Sequence, residues 1–133
     1  MNQPHADQKL PTQPLSPAQI IAMMIYGIAL WFVGATLTRT LGPGPLFYVL
    51  IVPGTIPVVA LAPRMFKIAP QQVTSAIALI TASAITFDSA AFALSPTLYA
   101  ADQASAVIAA SQIFWGGAVG LFMALLVEQR ALR

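Results

Sequence analysis

Four long apolar runs, almost free of charge, decide what this chain can fold into. The first, "AQIIAMMIYGIALWFVGATLTRTL", covers residues 18–41 and is broken only by hydroxyls, Gln19 and Arg39. Three more follow at about 46–65, 71–94 and 103–127. About 20 apolar residues in helical form cross the roughly 30 Å hydrocarbon core of a bilayer. Of the 133 residues 58% are hydrophobic and 8% charged, whereas a soluble domain carries about 25% charge. Such a surface belongs in lipid. The expected fold class is all-α, an integral membrane bundle of four transmembrane helices.

The breaks between the runs carry helix signals. Ser16, Pro17 and Gln19 stand where an N-cap, an N1 proline and a capping-box partner belong. Residues 1–16, with Pro4, Pro11 and Pro14 among polar side chains, read as a disordered leader ahead of a single domain at 17–133. The first run is too long for a signal-peptide core and reads as a retained span. "GPGP" (42–45) ends it. Pro53, Pro57 and Pro63 lie inside the second run, which is therefore expected to be kinked or locally unwound. Ser95-Pro96 closes the third run, and Asp102 stands at the N-cap place of the fourth.

Charge placement gives an orientation. Lys9, Arg64, Lys67, Arg130 and Arg133 all fall on the side of the termini, and Arg39 alone on the other. The positive-inside rule then puts both termini in the cytoplasm. With no basic run to follow a phosphate backbone, nucleic acid is not an expected partner. The chain has no cysteine, and its single histidine, His5, lies in the leader. No metal site, cofactor or catalytic constellation is expected.

"AITFDSAAF" (84–92) sets one carboxylate inside the third run. An aspartate near the centre of a span costs about 2.5–3.5 kcal/mol on insertion scales. At ~1.5 Å per residue, Asp88 lies about 27 Å beyond Pro70, or about 10 Å short of Ser95. The same arithmetic carries Arg39 about 33 Å from Pro17 and puts Gln112 about 13 Å below the start of the fourth run. The three share a level on three helices, and a polar cluster of Asp88, Arg39 and Gln112 is expected there. Two readings stay open: a structural pair with Arg39, or a titrating site for a proton or cation. Trp31 lies at a similar level and Trp115 a turn deeper, and both are candidates to line a site for an apolar ligand. Tyr48 and Tyr99 read as interface anchors. Gly27 and Gly34 on the first helix, and Gly116 and Gly120 on the fourth, recur at spacings that let helices approach closely.

Four short helices suggest the small multidrug-resistance exporters, but the acidic residue those carry in their first helix is missing here. "ALWFVGATLTRTLG" (29–42), "FDSAAFALSPTLY" (87–99) and "IFWGGAVGLFMALL" (113–126) instead resemble a family of small bacterial four-helix membrane proteins of unknown function. That pattern has a proline-glycine ahead of the aspartate and an asparagine after the proline, where this chain has Ala84-Ile85 and Thr97. The resemblance implies a bacterial cytoplasmic membrane and the four-span fold, and no activity.

The leading functional expectation is a non-enzymatic bundle or accessory subunit, packed in the lipid bilayer with itself or a larger complex around a structural polar cluster. The alternatives are an oligomeric transporter or proton-coupled exporter working through Asp88, and a binder of lipid, quinone or pigment near Trp31 and Trp115.

Overall fold

The computed structural model describes residues 14–42 and 44–133. Residues 1–13, His5 and Lys9 among them, and Pro43 of the first break lie outside the described residues, and with them the disordered leader expected there. Four helices follow in order: α1 Pro17–Leu41, α2 Pro45–Met65, α3 Val73–Leu94 and α4 Gln103–Ala131. Single 3-10 turns at Pro70–Gln72 and Pro96–Leu98 lead into and out of α3. Each helix is long and apolar enough to cross a membrane, α3 when counted with the turn before it. The chain is a small, all-helical, multi-pass membrane protein.

The ends form as the caps dictate. Ser16 Oγ accepts from the Gln19 amide, and Gln19 Oε1 accepts from the Ser16 amide in return. The same Gln19 side chain donates to Phe66 O at 2.8 Å, tying the start of α1 to the end of α2. Leu15, expected in the polar leader, instead packs against the hydrophobic core. Asp102 caps α4 through the Ser105 amide at 2.9 Å. α1 ends at Gly42, whose φ of 73° is a conformation that side chains with a Cβ rarely adopt. α2 ends on Lys67, also at positive φ, with the Ile68 amide reaching back to Pro63 O.

α2 stays helical through Pro53, Pro57 and Pro63, so the expected local unwinding does not occur. Side-chain donors reach two of its carbonyls, neither of them among the Val49, Pro53 and Val59 carbonyls that the prolines leave without an amide. Thr55 Oγ1 donates to Val52 O at 2.8 Å, and Trp115 Nε1 of α4 donates to Tyr48 O at 3.2 Å. α4 runs past the expected boundary at 127 to Ala131, which brings Glu128 into the helix. Its carboxylate accepts from the Thr74 amide at 2.8 Å, capping α3 from across the bundle.

α3 is the hub: α1 packs along it, α4 packs beside it, and α2 leans on α4. α1 and α2, although consecutive, make at most marginal contact. Gly27 is what lets α1 approach α3, for a Cβ there would stand 2.4 Å from Ile80 O. Toward the termini the core is Met23, Val59, Ala62, Val73, Ile77, Ile80 and Ala124. Toward the opposite face a smaller cluster gathers around Ala35, Tyr99 and Ala109. Large side chains such as Phe32, Leu46 and Val107 point outward, as a lipid-facing surface requires.

Candidate functional site

Asp88 is buried, and the group facing it is a tyrosine rather than an arginine. The Tyr99 hydroxyl donates to Asp88 Oδ1 at 2.5 Å, and itself accepts from Trp31 Nε1 at 2.8 Å. The 3-10 turn after α3 makes this possible, because it folds the chain back and sends Tyr99 down beside the helix it has just left. The tyrosine ring stacks on Phe92 with centroids 4.2 Å apart. Trp31 is held against Phe87 at 5.6 Å. Tyr99 is 1% exposed, so its expected place as an interface anchor is corrected. Burial, with Asp88 beside it, pushes its hydroxyl above the ordinary tyrosine range, so it remains a donor.

The expected cluster of Asp88, Arg39 and Gln112 is not assembled. Arg39 is exposed and forms no ion pair with Asp88. Its neighbour Thr38 is the residue that turns inward, 1% exposed and bonded to Gly34 O. Depth counting had put Arg39 at a workable level, but one residue around a helix is ~100° of rotation. Gln112 is fully buried as expected, yet its amide donates to Gly44 O at the start of α2. It anchors the first break against α4, and its Oε1 has no partner among the described residues.

Because α1 and α2 diverge, a groove of about 500 Å³ opens between them, with α3 and α4 behind it. Its wall is almost wholly apolar: Leu30, Val33 and Leu37 of α1, Leu50, Ile51 and Val58 of α2, Ile80 and Ile85 of α3. Trp31 lines it as expected, whereas Trp115 does not and lies on the outside, 45% exposed. Asp88 is the one charged residue among those lining the groove. Volume, largely apolar walls and a few polar groups match the usual anatomy of a small-molecule site.

The glycines divide into two roles. Gly27 is a helix-packing position. A Cβ added at Gly116 would meet only the flexible end of Ile51, at 3.1 Å. Gly34 and Gly120 meet nothing within 4 Å of an added Cβ, and both line the groove. They were expected to bring helices together, and they keep space open instead. At Gly117, outside the expected packing set, an added Cβ would stand 3.2 Å from the Thr81 methyl of α3. Tyr99 was the functional residue misread. The signal for it was present, since a buried carboxylate needs a donor and a hydroxyl lies one turn beyond the end of the same helix.

Comparison with protein-family models, curated proteins and solved structures finds no match to this chain.

Proposed function

We propose that this is a non-enzymatic protein of a bacterial cytoplasmic membrane, with both termini inside, that holds a membrane-dissolved apolar molecule between α1 and α2. The observation that carries this reading is the groove, an apolar cleft of about 500 Å³ with one carboxylate on its wall. The lining of Gly34 and Gly120 supports it, because open space beside a helix in a packed bundle is otherwise a loss of contacts. The absence of cysteine and the location of His5 support a role without catalysis. Arg64, Lys67, Arg130 and Arg133, at the end that carries the termini, support the orientation.

An accessory subunit built around a structural Asp88–Arg39 pair ranks lower, because the two residues form no pair. A second reading is an oligomeric exporter coupled through Asp88, and the lack of a cationic partner for that residue among the described residues favours it. The two differ in turnover: an exporter moves its ligand across a sealed vesicle, and a holding protein does not.

The test is extraction and mass spectrometry of what co-purifies with the protein in mild detergent, compared with Gly120→Leu. The expected result is a retained apolar molecule, in near-equal amount to the protein, that the groove-filling variant loses while folding normally. Equal lipid content in both proteins would overturn the reading.

A further inference from the structure

We propose that the occupant of the groove is a cationic amphiphile, an elongated apolar body carrying one primary ammonium group that docks on Asp88. This rests on the reading of the groove as a ligand site and specifies the chemistry of what enters it.

The argument is one of charge complementarity. Asp88 is 7% exposed and lies on the groove wall. Its surroundings supply dipoles, the Tyr99 hydroxyl and behind it the Trp31 indole, but no cation among the described residues. The other hydroxyls along the groove do not answer that charge. Thr38 is bonded to Gly34 O, and Thr55 to Val52 O, and Thr81 lies seven residues, about 10 Å, below Asp88 on α3. A carboxylate in hydrocarbon is costly to leave without an opposite charge, and side chains so placed pair or mark a pathway for ions or substrates. None of the described residues brings that charge to Asp88, and the ligand supplies it.

The shape specifies the rest of the molecule. Along α3 the lining runs from Ile77 to Asp88, about 16 Å at ~1.5 Å per residue, and Asp88 is its outermost member. A head at Asp88 therefore leaves its tail running toward Ile77, Val59 and Gly120, where the wall is apolar but for the Thr55 and Thr81 hydroxyls. The divergence of α1 and α2 leaves the entrance open to the bilayer, so the ligand can enter sideways from lipid. A slim ammonium fits beside a mostly buried carboxylate and can donate hydrogen bonds to it, which a bulky quaternary head cannot.

Radiolabelled dodecylammonium and dodecanol, matched in tail and differing in head, would be bound to the full-length protein in phosphatidylcholine nanodiscs, with uptake by protein-free discs subtracted. The expected result is preference for the ammonium by about tenfold or more, as a charge-assisted hydrogen bond provides. Asp88→Asn, which still accepts from Tyr99, should bring the two probes level, and Gly120→Leu should abolish both. Equal binding of ammonium and alcohol to the unaltered protein would overturn the cationic assignment and leave the apolar site standing. Binding no greater than that of Gly120→Leu would overturn both. Should Asp88→Asn fail to fold, the ratio of the two probes on the unaltered protein decides alone.

Discussion

Tyr99 and Asp88, eleven positions apart, are joined by a 2.5 Å hydrogen bond that closes the loop after α3 back onto the helix it came from. The same hydroxyl receives the Trp31 indole, so one atom links α1, α3 and the connecting turn. Removing it leaves a buried carboxylate without its tyrosine donor, and an indole without an acceptor.

Tyr99→Phe, which keeps the stack on Phe92, should therefore lower unfolding stability in detergent by about 1–2 kcal/mol. Arg39→Gln should stay within about 0.5 kcal/mol, as exposed substitutions do. In a double-mutant cycle, Asp88→Asn and Arg39→Gln should add to within about 0.5 kcal/mol, while Asp88→Asn and Tyr99→Phe should not. Strong coupling between positions 88 and 39 would contradict the arrangement described.

Two glycine substitutions should move stability in opposite directions. Gly27→Ala drives a methyl group into the Ile80 carbonyl, and overpacking of this kind costs about 1–3 kcal/mol. Gly120→Ala meets open space and should gain up to about 1 kcal/mol from helix propensity. Thermal unfolding of the two variants, side by side, checks both signs.

Glu128→Ala should cost about 1 kcal/mol, the usual scale for a lost N-cap. It leaves the Thr74 amide without its acceptor. The loss should be local: hydrogen exchange ought to quicken in the first turn of α3 and remain unchanged at its far end.

Acid should loosen the start of α4. Hydrogen bonds from the Ser105 amide and hydroxyl hold the Asp102 carboxyl below its ordinary value of 3.8. A depressed folded pKa means the contribution is complete above the unfolded value and is lost as pH falls through the folded one. Exchange protection of the Ser105 amide should therefore be flat from neutrality down to about pH 5 and drop below pH 4. Asp102→Ala should abolish that dependence.

The four spans, the capping box at Ser16 and the Asp102 cap were all legible in the sequence, because each depends on local composition or on neighbours within one turn. What sits beside Asp88 was not. Counting residues gives depth along a helix but not rotation about it, so Arg39 and Gln112 matched Asp88 in level and turned elsewhere. In lipid the outward face is as apolar as the inward one, so hydrophobic patterning does not say which helices are neighbours. Sequence order gave no help either, since the helix that α1 packs on is α3. The glycines show the same limit: Gly27 and Gly120 look alike in the sequence and do opposite things in the bundle.

The separation of α1 from α2 also bears on how the protein is made. Chains are synthesised from the N-terminus, and the first two spans reach the bilayer before their main packing partners. Until then they share little beyond the Gln19–Phe66 hydrogen bond and the Tyr26–Phe66 ring contact at the end that carries the termini. α1 gains its close packing only when α3 emerges with the Ile80 carbonyl that receives Gly27, and α2 gains most of its own when α4 arrives. Assembly is completed in the second half of translation, and a fragment ending after α2 would leave two helices tied at one end only.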